Sequence, residues 1–141
     1  MINSDSPTLP AAFLRESAAL LSMPGDRVVL GAADDGGYYL IGLKRPHRHL
    51  FDRIDWSTER VFAQSVERAG EIGLEVARLP PWYDVDDSAS LRRLCRELMA
   101  DDQQTSGYRA RHTVQLLRSL LDRNRDLRAL LAIAPPALRP T

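Results

Sequence analysis

The chain has 141 residues, 44% of them hydrophobic, which is enough for one compact domain with a buried core. Its 19 basic and 19 acidic residues cancel, so no global field attracts nucleic acid or an anionic membrane. Cys95 is the only cysteine, which excludes an internal disulfide and a cysteine zinc cluster. The sequence has no apolar run of membrane-spanning length and no signal-peptide pattern at its start. We therefore expect a cytoplasmic protein that binds neither nucleic acid nor membrane.

Strand and helix patterns alternate in the first half of the sequence. Residues 1–3 are short and apolar, which predicts the end of a strand, and a helical pattern begins at Pro10. Residues 28–30 and 38–43 have the branched and aromatic composition of two strands. An acidic, glycine-containing loop at residues 32–37 joins them.

The next part of the chain begins with a polar segment and then returns to helix and strand patterns. Ser57 or Thr58 is the predicted cap of a helix. The apolar stripe of that helix consists of Phe62, Val66, Ala69 and Ile72. Residues 74–79 alternate apolar and polar side chains as a half-buried strand does, and Pro80 and Pro81 are expected to close it.

Two helical regions complete the chain. Asp87 or Ser88 is the predicted cap of the first, whose inner face is defined by apolar residues at helical spacing, namely Leu91, Leu94, Cys95 and Leu98. Residues 113–133 predict one long or two short leucine-rich helices. The alternation of strands and helices indicates an α/β fold, in which residues 1–100 form one portion and residues 101–141 a helical C-terminal extension.

Acidic residues recur where the predicted strands end: Asp5, Asp34, Asp35, Asp84 and Asp86. Ligands of α/β proteins bind at the carboxyl ends of strands, and Mg²⁺ takes one or two carboxylates together with phosphate oxygens of a substrate. Asp5 and Asp86 are the predicted metal pair. Taken singly, each acid also suits a helix cap, and the spacing alone does not decide between these roles.

The loop sequence DDGGYY at residues 34–39 suits the binding of a hydroxyl acceptor. Its paired glycines let the backbone approach a ligand, and the adjacent Asp35 carboxylate can accept a hydroxyl proton. A tight hairpin with a Gly-Gly turn explains the same residues equally well.

Two further sets of residues allow a functional and a structural interpretation. His47 and His49, with neighbouring arginines, resemble an anion or metal patch, but no third ligand accompanies them, so a solvated loop is the favoured interpretation. Trp56 and Trp82 suit either the core or stacking on a sugar or base, and we expect at least one of them in the core.

Four segments in a fixed order carry a family resemblance: NSDSPTLP, VVLGAADDGGYYLIGL, IDWSTERVF and LPPWYDVDDSASL. Together they resemble the GT-A-like family described as radical-SAM/selenodomain-associated transferases, often labelled arsenosugar-biosynthesis glycosyltransferases. The resemblance covers residues 1–100, and DGGYYLIGL followed by WST and a DVD turn is its most specific part. A more distant similarity extends to phospholactate guanylyltransferases and molybdenum-cofactor-type nucleotidyltransferases.

The resemblance implies a fold and a set of site residues. The fold is a partial GT-A fold, with the mixed sheet of nucleotide-diphospho-sugar transferases flanked by helices. Asp5 matches the metal position, where a carboxylate bridges Mg²⁺ or Mn²⁺ to a diphosphate, although Asn3 replaces the preceding acid of the motif. Asp35 is the catalytic candidate. The acceptor is expected to contact the rest of that loop and the segment that caps its pocket, namely Gly36, Gly37, Tyr38, Trp56, Ser57 and Thr58.

Three functions follow as hypotheses. The first is metal-dependent transfer of a glycosyl group from a nucleotide-diphospho sugar to the hydroxyl of a small-molecule acceptor, with Asp35 as the base. The second is nucleotidyl transfer to a phosphorylated small molecule, for which Arg45, Arg48 and Arg53 could bind the acceptor phosphate. The third is a non-catalytic remnant that acts only by association.

The resemblance also implies residues that this sequence lacks at its front. Members of the family begin with a βαβ unit whose first loop holds the nucleotide, as is usual for this kind of fold. The sequence is therefore expected to be a truncated form that leaves one sheet edge and one apolar helix face exposed. On that basis we expect the chain to form a homo-oligomer or to pair with a separate N-terminal half.

Overall fold

The computed structural model describes residues 1–99 and 107–131. These residues fall into two compact units, the first comprising Met1–Asp84 and the second beginning at Val85. The predicted boundary between residues 100 and 101 lies outside the described residues. Each unit is described by itself below.

The first unit is a mixed β-sheet with helices. Its strands are β1 (Arg27–Ala33), β2 (Tyr38–Leu43) and β3 (Glu75–Trp82), in the spatial order β2-β1-β3. Its helices are α1 (Ala11–Ser22) and α2 (Val61–Glu71), with a 3₁₀ turn at Arg48–Phe51. The predicted α/β class and mixed sheet are confirmed.

The central strand β1 pairs in opposite senses on its two sides. It runs antiparallel to β2, where Val28 lies opposite Leu43, and parallel to β3, where Val28 lies opposite Val76. The first residues of the chain lie along the other side of β2: Ile2 forms an antiparallel bridge with Leu40. The predicted strand end at residues 1–3 is thus present as a short strand-like pairing.

Both faces of the sheet are buried along the central strand β1, because successive side chains of a strand point to opposite faces and each face is covered by a helix. Val28, Val29 and Leu30 of β1 are all fully buried. Their neighbours on the face covered by α2 are Ile41, Leu50, Ala69, Leu74 and the half-buried Tyr38, Phe62 and Val66. Their neighbours on the face covered by α1 are Tyr39, Leu40, Leu79 and the half-buried Phe13, Leu20, Leu21 and Trp82.

The start of α2 differs from the prediction. The helix begins at Val61 and its N-cap residue is Arg60, which makes no side-chain capping bond. The Thr58 hydroxyl instead donates to the backbone carbonyl of Asp55 at 2.7 Å, which closes a turn ahead of the helix. The predicted cap at Ser57 or Thr58 is therefore wrong. At the other end Ile72 is 41% exposed, because the helix ends at Glu71 before its side chain reaches the core.

The end of β3 also differs from the prediction. The strand does not stop before Pro80 and Pro81 but continues to Trp82. The pairing of β1 with β3 shifts register between Gly31 and Ala33, so the prolines lie at an irregularity. A missing backbone donor is tolerated at such an edge position, which explains why the proline pair does not end the strand.

The second unit contains three described helices, α3 (Ser88–Met99), α4 (Arg111–Arg123) and α5 (Arg125–Leu130). Asp87 caps α3, since its carboxylate accepts a hydrogen bond from the Ser90 backbone N–H at 2.7 Å, as predicted. Residues 113–131 form parts of two helices divided at Asn124, which confirms the version with two short helices. Across residues 1–99 and 107–131, every helix is too short or too polar to span a membrane.

Candidate functional site

The turn between β1 and β2 is a tight hairpin that holds Asp35. The Ala33 N–H donates to the Gly37 carbonyl at 3.0 Å, and the Gly36 N–H donates to the Ala33 carbonyl at 3.1 Å. The Asp35 carboxylate accepts a hydrogen bond from the Gly37 N–H at 2.8 Å, as aspartates commonly do in turns. The hairpin interpretation of this loop is confirmed, and the same geometry fixes an exposed carboxylate at the tip.

Gly36 brings the hairpin turn against the segment that precedes α2. Its φ is 91°, a left-handed conformation that favours glycine. A Cβ atom at Gly36 would overlap the backbone carbonyl of Glu59, and the Phe62 N–H donates to the Gly36 carbonyl at 2.9 Å. The turn and the start of α2 are therefore in direct contact through their main chains.

The residues after β3 complete this end of the sheet. The Asp34 N–H donates to the Trp82 carbonyl at 2.9 Å, which ties the hairpin turn to the end of β3. The Ser6 hydroxyl lies 2.8 Å from the Asp84 carboxylate and 3.0 Å from the Tyr83 carbonyl. Two segments distant in sequence, the hairpin turn and the segment with Ser6, thus converge on residues 82–84.

This convergence brings Asp35 and Asp84 together. Carboxylate oxygens of the two residues lie within 4.8 Å of one another, with Asp35 exposed and Asp84 half-buried. Paired carboxylates accessible to solvent are the donors that Mg²⁺ and Mn²⁺ prefer, and such ions complete their coordination with waters and substrate phosphates. The residues present at this end of the sheet therefore fit a hard divalent cation.

The predicted metal pair Asp5 and Asp86 stays a prediction. Asp5 is exposed and accepts a hydrogen bond from the Ser4 hydroxyl at 2.9 Å. Asp86 belongs to the second unit, where its backbone N–H donates to the Ser90 hydroxyl at 3.1 Å. The carboxylate that the structure places beside Asp35 within the first unit is Asp84, which the sequence interpretation did not select as a ligand. The DVD turn consists of Asp84, Val85 and Asp86, and its sequence pattern suits either aspartate as the ligand.

The predicted acceptor residues lie in two different environments. Tyr38 is half-buried against the core under α2, and burial raises the pKa of its hydroxyl. Trp56 is 51% exposed, and the next residue, Ser57, has a φ of 63° in the left-handed region. Trp82, by contrast, packs edge-on against Phe13 with ring centroids 5.8 Å apart. The expectation that at least one tryptophan lies in the core is confirmed.

The histidines pair with carboxylates in a surface groove. His47 Nε2 lies 3.0 Å from Asp26 Oδ2, and His49 Nε2 lies 2.6 Å from Glu71 Oε2. The groove has a volume of about 510 Å³. Within the portion of the chain that the structure describes, neither histidine belongs to a set of three metal-ligating side chains. A hydrogen bond from His49 holds the pKa of Glu71 below its ordinary value, and nearby Arg68 lowers it further.

Comparison with known proteins supports the same fold. Residues 1–58 match a family described as an uncharacterized protein conserved in bacteria, DUF2064. A crystal structure from Desulfovibrio desulfuricans G20, provisionally described as a nucleotide-diphospho-sugar transferase, is similar with a TM-score of 0.70 and 30% identity. The similarity covers 93% of this chain and 52% of that protein, so this chain spans about half of its length. No curated protein matches the chain. The mixed sheet and its flanking helices are therefore those of a nucleotide-diphospho-sugar transferase fold.

Proposed function

We propose that this chain carries the acceptor-side, metal-binding portion of a transferase that moves a glycosyl group from a nucleotide-diphospho sugar to a hydroxyl acceptor. The observation that carries the proposal is the approach of Asp35 and Asp84 to within 4.8 Å at one end of this sheet. The similar protein from Desulfovibrio desulfuricans G20 supports the donor class. The finer assignment to radical-SAM/selenodomain-associated transferases rests on the sequence motifs alone.

The proposed ion ligands are Asp35 and Asp84, with Asp5 and Asp86 as the further ligands that the sequence predicts. A divalent cation held there would offset the negative charge that develops on a diphosphate leaving group. Asp35 lies in the hairpin turn between β1 and β2, and Asp84 lies two residues after β3, so both carboxylates are held close to the sheet.

The hydroxyl acceptor is proposed to lie beside the hairpin turn. The main-chain contact of Gly36 with Glu59, which directly follows Trp56, Ser57 and Thr58 in the sequence, supports this proposal. An exposed indole is suited to stacking on the face of a sugar-like acceptor. Asp35 is then either a ligand of the ion or the base that accepts the acceptor proton, and these roles predict different behaviour on substitution.

The similar protein is about twice as long as the part that this chain matches. In a complete transferase, the remaining residues would belong to the same polypeptide, to a separate half or to a second copy of this chain. We propose that the nucleotide is bound in part by such residues. Light scattering of the purified chain measures whether it self-associates, and a monodisperse monomer would remove the second copy from this proposal.

The metal proposal is tested by titrating Mn²⁺ into the purified chain and following it by calorimetry and electron paramagnetic resonance. Asp84→Asn is expected to weaken Mn²⁺ binding by about tenfold or more, because one charged ligand is lost. Asp52→Asn is the matched control, since Asp52 is an exposed aspartate in another loop. Equal Mn²⁺ affinities for the wild type, Asp84→Asn and Asp52→Asn would refute the metal site.

The two roles of Asp35 separate in the same experiment. If Asp35 is a ligand, Asp35→Asn weakens Mn²⁺ binding as Asp84→Asn does. If it is the base, Asp35→Asn keeps the Mn²⁺ affinity and abolishes transfer. Nucleoside diphosphate released from a nucleotide sugar identifies glycosyl transfer, whereas pyrophosphate released from a nucleoside triphosphate identifies the nucleotidyl alternative. Binding of neither nucleotide nor metal would support the non-catalytic remnant.

A further inference from the structure

Ser6 is a buried serine whose hydroxyl meets the candidate site. Ser6 is only 9% exposed, and its Oγ lies 2.8 Å from Asp84 Oδ1. The two residues are separated by 78 positions in the sequence. A hydroxyl donating to a carboxylate forms a charge-assisted hydrogen bond, and shielding from water strengthens it.

The Ser6 hydroxyl acts as a hydrogen-bond donor to its neighbours. The Tyr83 carbonyl, 3.0 Å away, is likewise an acceptor, so the hydroxyl is the donor towards both atoms. The shorter distance is to the carboxylate. Asp84 is half-buried two residues after the end of β3, and this bond holds its Oδ1 atom.

A second residue of the same segment contacts Tyr83. Thr8 is fully buried, and its hydroxyl lies 3.0 Å from the Tyr83 hydroxyl. This contact anchors residues 6–8 to Tyr83, and the Ser6 hydroxyl contacts the proposed ion ligand Asp84. Substituting Ser6 and Thr8 one at a time therefore separates the orientation of Asp84 from the anchoring of residues 6–8.

We propose that Ser6 is a positioning residue that holds the Asp84 carboxylate in the orientation in which it binds a divalent cation beside Asp35. The inference rests on the proposed metal site and adds to it a residue that touches neither ion nor substrate. Carboxylate ligands are commonly oriented by such hydrogen bonds, and removing the partner weakens metal affinity by about 10- to 100-fold.

The test compares three variants with the wild-type chain by Mn²⁺ titration. Ser6→Ala removes the hydroxyl that bonds Asp84 and is expected to raise the Mn²⁺ dissociation constant by about tenfold or more. Thr8→Val removes a hydroxyl of the same segment with little change of shape and is expected to leave the dissociation constant within about twofold. Ser6→Thr restores a hydroxyl and is expected to recover most of the affinity. Circular dichroism and thermal unfolding of each variant verify that the chain is folded.

The outcomes distinguish this inference from the proposal on which it rests. If Asp84→Asn weakens Mn²⁺ binding but Ser6→Ala does not, the metal site stands and the role of Ser6 is refuted. If Ser6→Ala and Thr8→Val weaken binding equally, Ser6 only anchors the segment and the positioning role is again refuted. If the wild type does not bind Mn²⁺, both the site and the role of Ser6 are rejected.

Discussion

Gly36 lies so close to the backbone carbonyl of Glu59 that no Cβ atom fits between them. This contact joins the turn that holds Asp35 to the segment that carries Trp56. Because Gly36 also has a φ of 91°, a larger residue there meets both a steric and a conformational barrier. The geometry of the candidate site therefore depends on a residue without a side chain.

Replacing Gly36 by alanine is expected to destabilise the protein. The added Cβ must displace the Glu59 main chain or force the turn to change, and a shift of this kind costs about 1–3 kcal/mol of unfolding free energy. Urea unfolding followed by circular dichroism measures the loss. The hydrogen bond from the Phe62 N–H to the Gly36 carbonyl should weaken at the same time, which amide hydrogen exchange detects.

Gly70→Ala is the matched control for that substitution. Gly70 lies within α2, and a Cβ there meets no atom within 4 Å. Alanine in an exposed helical position is favoured over glycine, so this variant should gain about 0.5–1 kcal/mol. A Gly36→Ala variant as stable as Gly70→Ala would show that the turn and the Glu59 backbone are not held against each other.

Ser57 offers a prediction about backbone strain in the proposed acceptor segment. Its φ of 63° is unfavourable for a residue with a β-branched side chain, so Ser57→Val should lose about 1–2 kcal/mol of unfolding free energy. Ser57→Gly should be tolerated, because glycine adopts this conformation freely. Denaturant midpoints of the two variants give the comparison, and equal midpoints would contradict a left-handed backbone at Ser57.

Glu71 makes a pH-dependent contribution to stability. Its pKa is lowered in the folded state, chiefly by the hydrogen bond from His49, so the folded protein favours the charged carboxylate more than the unfolded chain does. The resulting stabilisation is present above the unfolded pKa of a glutamate, about 4.3, and is lost as the pH falls through the lower folded value. The melting temperature of the wild type should therefore exceed that of Glu71→Gln at pH 6, and the gap should narrow towards pH 3.

The control for this series is Glu67→Gln, which alters an exposed glutamate on the same helix. Within residues 1–99 and 107–131, the ion-pair partner of Glu67 is the neighbouring Arg68, and such a surface pair contributes little, so the replacement should change the melting temperature little at either pH. A gap between wild type and Glu71→Gln that stays constant from pH 6 to pH 3 would exclude the His49 contact as its source.

The sequence predicted elements whose signal is local. Residues 38–43 were assigned to a strand by their aromatic and branched composition, and β2 has these bounds. The position before an amphipathic helix predicts Asp87 or Ser88 as its cap, and the Asp87 carboxylate makes the capping bond. Both features depend on residues close together in the sequence: the six residues of β2, and Asp87 with Ser90.

What the sequence could not predict depends on tertiary contacts. The sequence predicts that β3 ends before Pro80, but a shift of register with β1 lets the strand continue past the prolines. As a result, Asp84 follows the end of β3 by only two residues. The contact of Ser6 with Asp84 spans most of the first unit, so no local pattern reveals it.

The proline pair in β3 has a consequence for how the protein behaves at high concentration. In the described sheet β3 pairs with β1 along one side, and Pro80 and Pro81 are exposed. Neither proline has a backbone N–H to offer a foreign strand, and the charged side chains of Glu75 and Arg78 lie exposed further along the strand. The edge nearest the carboxylates is thereby protected from the strand-to-strand association that begins aggregation.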